Sequence, residues 1–155
     1  MKIPPMKTSI LALLLCSAFA TSAQALDARP VPLDAATLAA LPREAVTATA
    51  HGKTHACEGV PLVALLRHAG AMPTTELRGK QLARFVRVEA RDGYRVVFSL
   101  GELDPATGGR RVYVVDRCDG KPLGDEVGPL RLVVPEDARP ARWLRQLETI
   151  TVSDP

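Results

Sequence analysis

The sequence predicts an α+β fold, with mixed or antiparallel sheets and one main helix, and three observations carry that expectation. Leu62, Leu65, Leu66 and Ala69 fall at i, i+3, i+4 and i+7, the spacing of one apolar helix face. Arg84 to Ala90 and Tyr94 to Leu100 alternate apolar and polar residues on either side of Asp92-Gly93, a two-residue hairpin signal. Several short strand-like segments follow with no second stripe of helical period, so the sheet outweighs the helix.

Residues 1–25 are set aside as an export leader before any fold is considered. Lys2 and Lys7 form a basic start, Ser9 to Ala20 an apolar centre, and Ala23-Gln-Ala25 a small-residue cleavage site, which predicts a periplasmic protein beginning near Leu26. The apolar run is shorter than the ~20 residues a spanning helix needs, so no membrane association is expected after cleavage. Cys16 follows Leu15 inside the apolar centre, which argues against a lipid-modified cysteine. About 130 residues remain, enough for one domain, read as an extension over 26–45 and a domain over 46–153.

Within the mature chain, residues 26 to 33 are Pro-rich and expected to be extended. Asp34 can cap a helical turn through Leu38 and Leu41 that Pro42 ends. Val46 to Ala50 reads as a strand. Pro61 suits a first helical turn and Gly70 a C-terminal cap, which bounds the main helix. The two alternating segments around Asp92-Gly93 should pair antiparallel. Ser99 reads as a cap rather than a nucleophile. Val112 to Val115 is apolar on both faces and suits a central strand, and Leu130 to Val134 and Leu144 to Val152 supply two more. Asp92, Asp116, Asp119 and Asp125 lie in or beside turns, where local hydrogen bonding to the backbone is expected.

The segment Cys118 to Leu144 holds the densest chemistry. Asp119-Gly120 is a turn dipeptide, and Pro135 and Pro140 bound a loop that delivers Arg139, Arg142 and Trp143. Guanidinium forks match phosphate and carboxylate oxygens bidentately, so Arg131, Arg139 and Arg142 near one strand end could hold a phosphorylated cofactor. The plainer alternative is a solvated basic rim beside a core tryptophan.

Lys2 and Lys7 belong to the leader, which leaves 18 basic against 17 acidic residues and gives nucleic-acid binding no support. Cys57 and Cys118 remain after cleavage. In an oxidising compartment they form either a disulfide or two separate buried thiols, and spacing alone does not decide between these. His51, His55 and Cys57, on a stretch that reads as a loop, make a weak soft-metal pattern without a fourth ligand, and surface polar residues are the competing reading. No phosphate loop, nucleophile elbow or paired-carboxylate pattern is present.

Several of these motifs together resemble the molybdopterin-binding domain of the sulfite oxidase family. The resemblance rests on Asp119, Gly120, Pro122 and Leu123, then Pro129 to Pro135, then Arg142-Trp143. Upstream, Glu58 to Gly70 is similar to the family's W-x-G-V-x-L-x-x-L-L-x-x-A-G helix, and Tyr94 to Pro105 to its central strand and turn. The match covers residues 46 to 152. It implies the sulfite oxidase-type molybdopterin-binding fold, and a pterin whose phosphate end meets the loop carrying Arg139 and Arg142, with Trp143 packing behind it.

Two departures fall on the family's functional positions. The family's molybdenum-binding cysteine lies in a T-L-x-C-x-G-N segment, whereas Val46 to Gly52 contains no cysteine. Glu126-Val127-Gly128 stands where the family usually has H-G-F. The expectation is therefore a periplasmic binding or accessory module without a functional molybdenum centre, with a phosphorylated cofactor or a periplasmic protein as partner. The rivals are an active molybdopterin-dependent oxidoreductase with an atypical metal environment, and a thiol- or metal-linked periplasmic protein using His51, His55 and Cys57.

Overall fold

The computed structural model describes residues 28–154, so the expected leader lies outside the described residues. The elements run β1 (Ala28–Val31), α1 (Ala35–Ala39), β2 (Glu44–Ala50), β3 (Lys53–Pro61), α2 (Leu62–His68), β4 (Phe85–Ala90), β5 (Arg95–Ser99) and α3 (Leu100–Leu103). They continue with β6 (Tyr113–Cys118), β7 (Lys121–Pro122), β8 (Arg131–Val133) and β9 (Leu147–Ser153). Two short 3-10 turns, Gly79–Ala83 and Pro140–Arg142, complete the set.

One sheet has the order β1-β9-β4-β5, and the other β2-β3-β6-β7 with β8 also on β6. Every pairing among the described strands is antiparallel, so of the two sheet types anticipated, antiparallel and mixed, these residues show the first. The segment expected as an extension contributes β1 to the edge of the first sheet and buries Val31 and Leu38.

Local chemistry accounts for the turns. Asp34 caps α1 by accepting from the Thr37 backbone N–H at 2.9 Å, and Ser99 caps α3 through Glu102 in the same way. β4 and β5 pair antiparallel as expected, but through a three-residue loop, Arg91 to Gly93, closed by the Ala90 N–H on the Tyr94 carbonyl, rather than a two-residue turn; Gly93 takes a φ of 83° there and Asp92 Oδ1 accepts from the Tyr94 N–H. Leu62, Leu65 and Leu66 of α2 are fully buried against a core that both sheets share, including Val86, Phe98, Val114, Leu132 and Ile150. β6 buries Tyr113, Val114 and Val115 in succession, as a central strand with both faces covered must.

β3 is the main element absent from the sequence-based expectation. Residues 53–57 read as a loop carrying metal-ligand candidates, yet Lys53 to Pro61 form a nine-residue strand joined to β2 by a tight turn. His51 and Gly52 both take positive φ there, 52° and 75°. Gly59 disguises the strand. A Cβ at that position would lie 2.1 Å from the Val114 carbonyl oxygen, so glycine permits the close β3–β6 approach beside the register shift after Glu58.

Candidate anion-binding site

Trp143 ends the second 3-10 turn and is buried, with its indole Nε1 donating to the Val134 carbonyl at 2.9 Å. That bond fixes the ring beside β8. The Arg131 guanidinium carbon stands 5.2 Å from the ring centroid, within range of a cation–π contact. Arg131 Nε is buried and, among the described residues, has no hydrogen-bond partner. Burial pushes the Arg131 pKa below its ordinary value, and the neighbouring positive charge of Arg145 acts in the same direction. A desolvated cation with an unused donor is an arrangement that a bound anion would relieve. Trp143 and the exposed Arg145 also line a groove of about 270 Å3 with Asp92, Tyr94, Pro140 and Ala141, which Arg131 itself does not line.

Arg142 is placed differently. Its Nε donates to Asp137 Oδ2 at 2.7 Å, its Nη2 to Asp137 Oδ1 at 2.6 Å, and its Nη1 to Glu102 Oε1 at 2.9 Å. Its guanidinium lies over the Phe98 ring, 4.6 Å from the centroid. Arg110 reaches the same two carboxylates, at 3.3 Å from Asp137 and 3.6 Å from Glu102. The Asp137 hydrogen bonds raise the pKa of Arg142, and those from Arg142 lower that of Asp137. The fork that the sequence offers to a phosphate is thus already filled by carboxylates. Arg139 is exposed and makes no hydrogen bond among the described residues. The three arginines do not form one cluster, because Arg131 faces Trp143 while Arg142 faces Phe98, Asp137 and Glu102.

Cys57 and Cys118 sit opposite one another on β3 and β6 and are joined by a disulfide. His55 shares the inward-facing parity of Cys57 and hydrogen-bonds Asp119 Oδ2 at 3.0 Å, while Asp119 Oδ1 accepts from the Ala56 N–H. The His55 hydrogen bond, with that from Ala56, lowers the Asp119 pKa. Asp116 grips Arg43 through both carboxylate oxygens. The Asp116 and Asp119 carboxylates therefore bond segments distant in sequence, the chain just before β2 and strand β3, rather than the local turns expected of them. His51 stands exposed at the hairpin tip. No group of three or more His, Cys, Asp or Glu residues is arranged to hold a metal among the described residues, and the Cys57 sulfur is already bonded. Buried Asp104, which the sequence did not single out, accepts from the Leu77 and Ala106 N–H groups and holds loops together.

A molybdenum centre with a thiolate ligand does not fit this donor set. β2 occupies the segment where the family carries its cysteine and supplies none, and both cysteines among the described residues are spent on each other. The Arg131–Trp143 corner, by contrast, carries a half-buried positive charge with no hydrogen-bonded carboxylate among the described residues.

Two antiparallel sheets with few short helices define a β-rich domain of the α+β class. The family model for the oxidoreductase molybdopterin binding domain matches residues 18–155, and the chain belongs to that family, with the sulfite oxidase-type fold it implies. The family typically binds a molybdopterin cofactor. The matched span is wider than residues 46 to 152, over which the motifs lie. No curated protein matches the chain.

Proposed function

We propose that this chain is an exported, periplasmic member of the family that acts as a binding or accessory module rather than as a molybdenum oxidoreductase. The carrying observation is the Cys57–Cys118 disulfide, which withdraws both thiols of the described residues from metal ligation. The ligand this reading favours is a phosphorylated molecule, a pterin phosphate in the first instance, held at Arg131 with Arg145 close by. Support comes from the buried, unpartnered Arg131 Nε and from the absence of a carboxylate hydrogen-bonded to that guanidinium among the described residues. Arg139 is exposed and unengaged among the described residues, whereas Arg142 is a structural cross-link. The complete leader pattern in residues 1–25 supports export.

The test is elemental analysis of protein exported through its native pathway, combined with fluorescence of released pterin. Molybdenum far below one atom per chain is expected, with or without pterin. Molybdenum and pterin both near one per chain would restore the oxidoreductase reading, while zinc or copper alone at that level would favour the metal-linked alternative.

A further inference from the structure

We infer that β2 is a self-pairing edge through which two copies of this chain join into one continuous sheet. This inference is independent of the cofactor reading. β2 is seven residues long, stands at the edge of its sheet and, among the described residues, pairs only with β3. The other sheet edges are shorter, and several are blunted as well. β1 has four residues and carries Pro30, β7 is the dipeptide Lys121-Pro122, and β8 is closed by the Leu132 N–H on Leu144 and by the Leu147 N–H on the Leu130 carbonyl. β5 has five residues, with a charged Arg95 at one end and Ser99 engaged as the α3 cap. β2 has no proline, glycine, lysine or bulge, and Glu44 is its one charged residue.

The hairpin fixes which backbone groups are free. Ala50 and Lys53 flank a two-residue turn, so they and, by alternation, Ala48–His55, Val46–Cys57 and Glu44–Gly59 are the hydrogen-bonded pairs. The N–H and C=O groups of Ala45, Thr47 and Thr49 therefore point away from β3, and no backbone group elsewhere among the described residues reaches them. One antiparallel register satisfies all three residues at once, with Thr47 opposite the second copy's Thr47 on a twofold axis and Ala45 opposite Thr49. Shifting the register leaves at least one of them unpaired.

Charge and side-chain chemistry agree with that register. The outer face brings threonine against threonine and alanine against threonine, with no like charges opposed. On the other face Glu44 lies across from Ala50, whose β3 neighbour is Lys53, so each copy's carboxylate shares a row with the other copy's ammonium. Val46, Ala48 and Ala50 are already buried within each copy, so pairing asks for no core rearrangement.

Sedimentation equilibrium on the full exported chain, over a wide concentration range, tests the inference. The wild type is expected to show a reversible monomer–dimer equilibrium. Thr47→Lys places like charges against each other on the axis and should weaken the dimer by about tenfold or more while leaving circular dichroism unchanged. Thr47→Cys should form an intermolecular disulfide on oxidation, whereas Ala56→Cys, on the same face one strand inward, should not. A wild type that stays monomeric throughout, a dimer indifferent to Thr47→Lys, or cross-linking equally efficient at Ala56→Cys would each overturn it. So would a stoichiometric foreign peptide found with the purified chain.

Discussion

The Arg142 guanidinium closes a two-pronged grip on the Asp137 carboxylate, at 2.6 and 2.7 Å, while its third nitrogen holds Glu102 from forty residues upstream. This grip ties the loop after β8 to α3 and makes Arg142 a structural residue. Arg142→Ala is expected to lower stability by about 2 kcal/mol, the scale of hydrogen bonds to half-buried charged groups, without changing affinity for a phosphate. Urea denaturation and phosphate titration of the variant check both halves.

The same pair predicts an acid limb. Hydrogen bonding from Arg142 holds the Asp137 pKa below that of an unfolded aspartate, about 3.9, so its contribution to stability is complete above that range. Stability is lost as pH falls through the depressed folded value, because the unfolded chain then binds the proton first. Asp137→Asn should flatten the stability–pH curve below about pH 4 relative to wild type. An identical acid slope in both proteins would remove Asp137 as its source.

Arg131 should respond in the opposite sense to Arg142. Arg131→Met keeps the apolar stem against Trp143 and removes a desolvated charge, so its melting temperature should match or exceed that of wild type. Stabilisation by added phosphate or pyrophosphate, measured as a shift in melting temperature, should disappear. An unchanged shift would move the anion elsewhere.

The Cys57–Cys118 bond spans 61 positions in sequence, and removing a cross-link of that reach typically costs about 2–4 kcal/mol by freeing the unfolded chain. Changing both cysteines to serine should lower the denaturation midpoint accordingly, and reductant should have no further effect on the double variant. Full resistance of the wild type to unfolding in strong reductant, at the same midpoint as without it, would refute the contribution.

Leu65→Ala removes a fully buried side chain from the face that α2 presents to the core. A loss of about 2–4 kcal/mol is expected from the transfer and cavity contributions together. Circular dichroism should show the fold retained below the lowered midpoint.

The sequence by itself determined what depends on near neighbours. The α2 stripe from Leu62 to Ala69, the Asp34 and Ser99 caps and the Asp92-Gly93 hairpin all follow from periodicity or from a side chain reaching three residues along the chain. The ordered motifs from Glu58 to Trp143 likewise carried the family. Tertiary structure decided what depends on partners remote in sequence. β3 is a strand because Gly59 lets it approach β6, a contact that no local pattern reveals. Of three chemically identical arginines between β8 and the second 3-10 turn, Arg142 is neutralised by Asp137 and Glu102, Arg139 is left in solvent, and Arg131 is set on Trp143 without an acidic hydrogen-bond partner among the described residues. Their spacing could announce positive charge but not its availability, because availability is fixed by which carboxylates the fold brings within hydrogen-bonding distance.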